Sequence, residues 1–107
     1  MPDGGRNLRI EVADTTSPTT VVLTGEIDVS TSNRVREALI AISNSGETSV
    51  VVDMTNVTFM DSTGLAALVG PLKRFRSLNG QIVLRSPSKG VLKVLEITGL
   101  TRVFVIE

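Results

Sequence analysis

The run Val50-Val51-Val52 is apolar, β-branched and unbroken, and the chain after it changes period. Branched residues without alternation suit a strand covered on both faces. Leu65, Leu68, Val69, Leu72, Phe75 and Leu78 then recur at three- and four-residue steps, so one stripe of a helix faces a core. A buried strand that feeds a helix admits few architectures. Between the two lies a segment that sets the hydroxyls of Ser62 and Thr63 beside the carboxylate of Asp61. The first helical turn is expected to begin at Asp61 or Ser62, with Ser62 anchored by the backbone and exposed.

The flanking segments fill in the same architecture. Leu8, Ile10 and Val12 alternate with Arg9 and Glu11, the period of a strand with one face in solvent, so Leu8 to Val12 is expected near a sheet edge. Asp14-Thr15-Thr16-Ser17-Pro18 supplies a turn, and Thr20 to Leu23 returns as the second strand of an antiparallel pair. Ser30, Thr31 or Ser32 offers an N-cap for a helix that carries Val35, Ala38, Leu39 and Ile42 and ends near Asn44-Ser45-Gly46. A strand at Ser49 to Asp53, a helix from about Ser62 to Leu78, a strand at Gln81 to Leu84, a helix from about Lys89 to Ile97 and a strand at Val103 to Ile106 follow. Alternating strands and helices pair in parallel through right-handed crossovers. The expected fold class is α/β: one domain with a mixed, mostly parallel sheet of about five strands, an N-terminal antiparallel pair and packed helices. Gly70-Pro71 interrupts the long helical stripe, where proline costs about 3 kcal/mol in a regular interior, so a kink or break is expected there.

Composition narrows the chemistry. With 107 residues the chain holds a single core of ordinary size. Eleven basic residues balance eleven acidic ones, which gives no attraction toward nucleic acid or an anionic membrane. Cysteine and histidine are both absent. That removes disulfides, thiolate metal sites, the commonest general base and the commonest transition-metal ligand. No stretch approaches the roughly 20 apolar residues of a membrane span, and Met1 to Asn7 lacks the apolar segment of a secretory signal. A cytoplasmic protein without a cofactor is expected.

The block D-M-T-N-V-T-F-M-D-S-T-G-L, residues 53 to 65, resembles the signature of the STAS domain in bacterial anti-sigma-factor antagonists. Leu23-Thr24-Gly25-Glu26-Ile27-Asp28 is similar to that family's strand-ending segment with an acidic residue, and the likeness continues through Gly80 to Leu84 and Val94 to Leu100. It covers the chain from Leu8 onward, which makes residues 1–7 a flexible N-terminus and 8–107 the domain. In that family the serine of D-S-[ST]-G is phosphorylated by a partner that is both anti-sigma factor and serine kinase, and a serine phosphatase resets it. The resemblance therefore implies phosphorylation at Ser62, with Asp61 as the preceding carboxylate and Asp28 as the upstream acidic residue. It implies a partner surface of Asp28, Asp61, Ser62, Thr63 and Gly64.

The residues themselves leave plainer roles open. A helix N-terminus carries unpaired N–H groups and about half a positive charge, so a phosphate there finds backbone donors. Ser62 is equally suited to be an N-cap, worth about 1 kcal/mol. Thr63 is the competing acceptor, or a first-turn cap. Gly64 lacks a Cβ and so clears space for another chain over the first turn. Asp28 reads as a capping carboxylate before Ser30 and Thr31 as readily as a functional one, and Asp53 as a group paired locally at the end of its strand. Asp28, Asp53 and Asp61 together would suit a hard cation, but no lysine stands where such phosphotransfer needs one. Lys73, Arg74 and Arg76 read as a solvated face. Val91, Leu92, Val94, Leu95 and Ile97 slightly exceed one apolar stripe, which leaves room for an exposed residue. The alternatives to an antagonist are a STAS regulatory subunit of a transport, lipid-transport or stress-signalling complex and an enzyme with Ser62 as nucleophile. The latter lacks both a histidine base and a G-x-S-x-G elbow.

Overall fold

The computed structural model of the chain describes residues 7–16 and 18–107, so the segment expected to be flexible, apart from Asn7, lies outside the described residues. Strands β1 (Leu8–Asp14) and β2 (Thr19–Ile27) pair antiparallel. Strands β3 (Val50–Met60), β4 (Ile82–Arg85) and β5 (Val105–Ile106) add to β2 in that order, all parallel. Helix α1 (Ser32–Asn44) connects β2 to β3, α2 (Ser62–Ser77) connects β3 to β4, and α3 (Lys89–Ile97) with a short 3-10 turn (Leu100–Arg102) leads to β5. This is the mixed five-stranded α/β arrangement expected, with β1 at the edge.

One cluster holds it together. Val21, Leu23, Val50, Val52, Met54, Ile82 and Leu84 from the sheet meet Val35 and Leu39 of α1, Leu65, Leu68, Leu72 and Phe75 of α2, and Val91 and Leu95 of α3. Full burial of side chains this size contributes roughly 1.5–3 kcal/mol each. Because strand side chains alternate, Val51 and Val83 point to the opposite face. Both are buried, yet they stand outside this cluster. The run Val50-Val51-Val52 is thus buried on both faces, as its unbroken branched pattern implied, although the described helices pack on one face and the 20 Å short dimension fits one sheet and one helical layer.

Strand β3 is longer than Ser49 to Asp53, and the reason lies in its register. Val22 pairs with Asp53 but Thr24 with Asn56, and Gly25 pairs with Val57 but Glu26 with Phe59. Each step inserts one extra residue into β3, a β-bulge. Met54, Val57 and Met60 consequently all face inward at three-residue spacing. Strand β2 likewise runs on to Ile27 through Gly25, whose φ of 122° and close contact with the Asn7 carbonyl exclude a side chain.

Helix α2 runs unbroken from Ser62 to Ser77 with Pro71 inside it, so the expected break does not occur. Pro71 lacks the N–H that would bond back along the helix, but its ring is buried within the fold. Packing of the N-terminal and C-terminal halves against one cluster, through Leu68 and Phe75, offsets the lost bond.

Candidate functional site

Two neighbouring parallel strands end together. Ile27 pairs with Met60, and the Asp61 amide donates to the Ile27 carbonyl at 3.3 Å. Asp28 and Asp61 therefore leave the sheet side by side at its C-terminal edge, where open α/β sheets form their sites. Each then starts a helix by a different device.

After β2 the chain turns tightly. The Asp28 carboxylate accepts the Ser30 amide at 2.9 Å and the Ser30 hydroxyl at 2.7 Å. The hydroxyl bond first, and the amide bond second, hold the Asp28 carboxyl below its ordinary value. Thr31 occupies the N-cap position, but its hydroxyl does not cap α1. It donates to the Glu26 carbonyl at 2.8 Å and accepts the Asp28 amide at 2.9 Å, so the hydroxyl staples the loop from within. Asp28 thus has the capping-loop role that its sequence context allowed.

After β3 the cap is Asp61. Its Oδ1 accepts the Gly64 amide at 2.9 Å, and its carbonyl accepts the Leu65 amide. This assignment decides what Ser62 does. Ser62 is the first helical residue rather than the cap; it is exposed, and its hydroxyl has no hydrogen-bond partner among the described residues. The backbone amides of Ser62 and Thr63 also face no acceptor among the described residues. The site is thus an exposed, unengaged hydroxyl at the positive end of a sixteen-residue helix, with free donors beside it.

Gly64 does something other than clear space for a second chain. It is buried, and a Cβ there would collide with the Ile27 carbonyl and lie 2.8 Å from Ile27 Cγ2. The room it leaves belongs to its own strand β2. Asp53, in the middle of β3 rather than at its end, accepts the Thr55 hydroxyl at 2.6 Å and amide at 3.0 Å. Those bonds, with a smaller contribution from Arg85, lower its pKa. Asp28, Asp53 and Asp61 are each turned to a local donor, and no acidic cluster among the described residues could hold a metal ion.

Two residues of this edge escaped the reading of the sequence. Val29 is 77% exposed and Phe59 is 49% exposed, an apolar pair beside Asp28 and Met60 respectively. Phe59 follows the second bulge and so points away from the helices, opposite to Met60. A count of apolar residues flags neither position. An aromatic next to a motif hydroxyl was the available signal.

A family model described as the STAS domain matches residues 9–107. The chain is 34% identical over 102 residues to an anti-sigma-B factor antagonist of Listeria monocytogenes, covering 94% of this chain and 90% of that protein. It is 31% identical over 94 residues to the Bacillus subtilis protein of the same name, covering 88% and 85%. Among solved structures, an anti-sigma factor antagonist from Mycobacterium paratuberculosis matches with a TM-score of 0.80 at 23% identity, covering 98% and 89%. The anti-sigma factor antagonist SpoIIAA in its unphosphorylated form matches with a TM-score of 0.74 at 23% identity, covering 94% and 87%. These structural likenesses show a shared fold. Together with the domain match along nearly its whole length and relatives above 30% identity, they place the chain in the STAS domain family.

Proposed function

We propose that this chain is an anti-sigma-factor antagonist: it binds an anti-sigma factor that is also a serine kinase, so releasing a sigma factor, and phosphorylation of Ser62 turns it off. The observation that carries this reading is the unengaged Ser62 hydroxyl, left free because Asp61 caps the helix. Val29 and Phe59 supply exposed apolar contacts at the same edge. Relatives named anti-sigma-B factor antagonist support the partner class.

The switch is electrostatic. A phosphate on Ser62 adds about −1.5 to −2 charges next to the Asp61 carboxylate and near Asp28. In water the free amides of the first turn hold it. In an interface the same charge is stripped of water beside two carboxylates, and binding falls by about a hundredfold, a usual regulatory coupling. Nucleophilic catalysis by Ser62 lacks a base, since the chain has no histidine and the Asp61 side chain is bonded to Gly64.

The test is to incubate the protein with ATP and each candidate anti-sigma kinase of its own genome, locate added phosphate by mass spectrometry and measure the complex before and after. Phosphate on Ser62 with loss of the complex, reversed by a serine phosphatase, is the expected result. Ser62→Ala should bind and resist the switch, and Ser62→Asp should bind weakly. Equal affinity with and without phosphoserine refutes the mechanism, and a stable unmodified complex with a non-kinase partner favours a subunit of a larger assembly.

A further inference from the structure

The N-terminal halves of α1 and α2 lie side by side and leave an open groove of about 230 Å³, lined by Ser32, Asn33 and Arg36 from one and Thr63, Ala66 and Ala67 from the other. Ser62 does not line it. Ser32 lines this groove, and its hydroxyl has no hydrogen-bond partner among the described residues. No buried side-chain polar atom among the described residues lacks a partner, so this hydroxyl reaches the open groove. It is free to donate to a ligand there.

Arg36 supplies the charge. Its stem lies 3.9 Å from where a Cβ on Gly70 would stand, so the side chain reaches across to α2, and its Nη2 donates back to Asn33 Oδ1 at 2.6 Å. The head is thereby held beside Asn33, which lines the same groove as Thr63. No carboxylate lies within ion-pairing distance of it among the described residues; Glu37 shares the adjoining hollow with it. The rest of the guanidinium fork is available, and a fork of this kind matches phosphate oxygens.

We propose that Thr63 is a second phosphorylation site, and that its phosphoryl group is received within the same chain by Arg36 and the Ser32 hydroxyl. The proposal rests on the regulatory reading of the first turn of α2 and adds to it a second acceptor with a separate outcome. Thr63 Oγ1 attacks the γ-phosphorus of a nucleoside triphosphate held by a protein kinase. An O–P bond forms as the bond from that phosphorus to the β–γ bridging oxygen breaks, the diphosphate leaves, and the hydroxyl proton passes to a base of the kinase. On Ser62 the phosphate stands toward a partner. On Thr63 it is partly neutralised and folded between α1 and α2, so it stiffens the helix pair and repels a partner less.

The experiment installs phosphothreonine at 63, or phosphoserine at 62, in full-length protein with Arg36 and in Arg36→Gln, and follows each phosphate by phosphorus NMR against pH. Phosphothreonine 63 should titrate about one unit below the ordinary second ionisation near 6 and return on Arg36→Gln, with Arg36→Lys between the two. Phosphoserine 62 should move less than a third as far. A titration at residue 63 that ignores Arg36→Gln, or an equal response at residue 62, overturns the proposal. So does the absence of phosphate at residue 63 on mass mapping of protein isolated from its own cells under all growth conditions. The titration needs no partner, so it stands or falls apart from release by phosphoserine 62.

Discussion

The Cα of Gly64 rests against the carbonyl of Ile27, and the first turn of α2 is thereby pressed onto the end of strand β2. Any side chain at residue 64 must push the turn away. Gly64→Ala is expected to destabilise the domain by roughly 1–3 kcal/mol through overpacking. Thermal unfolding followed by circular dichroism checks this, at roughly 4–8 °C for each kcal/mol in a domain this size. An unchanged midpoint would contradict the close approach.

Asp61 holds the same turn from the other side through the Gly64 amide. Asp61→Ala should cost about 1 kcal/mol, and Asp61→Asn much less, because asparagine caps nearly as well. Urea unfolding of the two variants separates them. Equal losses would mean that the carboxylate acts by charge rather than as a cap.

Thr31 is fully buried and bridges the Glu26 carbonyl to the Asp28 amide. Thr31→Val keeps the shape and removes both bonds. The expected loss is about 1–3 kcal/mol, with faster hydrogen exchange at the Asp28 amide. Retention of full stability would show that the hydroxyl is dispensable to the loop.

Asp14, Asp28 and Asp53 share one device: each carboxylate accepts the hydroxyl and the amide of the residue two places on, Thr16, Ser30 and Thr55. All three ionise below the ordinary aspartate value, chiefly because of the hydroxyl bond. Folded values below the unfolded value near 3.9 mean that this stabilisation is complete above that pH and is lost as pH falls through the folded values. Carbon NMR titration of the carboxyls should show three depressed midpoints. Ser30→Ala should raise that of Asp28 alone, and Thr55→Val that of Asp53 alone.

Val29 and Phe59 test the extent of the partner surface. Val29→Ser and Phe59→Ser should change stability by less than about 0.5 kcal/mol, as exposed positions do. Each should weaken anti-sigma-factor binding by roughly tenfold or more if it is an anchor. Calorimetric titration of each variant gives the answer, and wild-type affinity in both would move the interface elsewhere.

The residues that follow simple periods were legible from the chain alone. Lys89 to Ile97 reads as a helix and is one, and Ile97, the surplus apolar residue of its stripe, is 74% exposed. The stripe from Leu65 to Phe75 likewise names the buried face of α2. What was not legible depends on contacts between segments. The inward positions Met54, Val57 and Met60 have a spacing that is neither a strand's two nor a helix's 3.6, because the extra residues of β3 are defined only against β2. Pro71 signals a break by its local chemistry, and tertiary packing overrides it.

The candidate site divides in the same way. Ser62 as an exposed hydroxyl at a helix start was readable, as was the capping role open to Asp28. Whether Asp61 or Ser62 caps depends on which oxygen reaches the Gly64 amide. Gly64 is conformationally free in any sequence reading, and only the position of Ile27 shows that its missing side chain is a requirement of packing. Thr31, in the N-cap position, spends its hydroxyl on β2 instead, a choice that the local string Ser30-Thr31-Ser32 does not reveal.

The two bulges of β3 also keep its end in step with β2. Each takes up its extra residue on the exposed side, at Thr55-Asn56 and at Thr58-Phe59, so Val57 and Met60 still face inward opposite Gly25 and Ile27. Loss of one of these extra residues would remove one bulge and leave Met60 opposite Ile27, with Asp61 still at the Ile27 carbonyl. The stretch between Asp53 and Met60 can therefore shorten one residue at a time, and the Ser62 hydroxyl at its end is buffered against such changes.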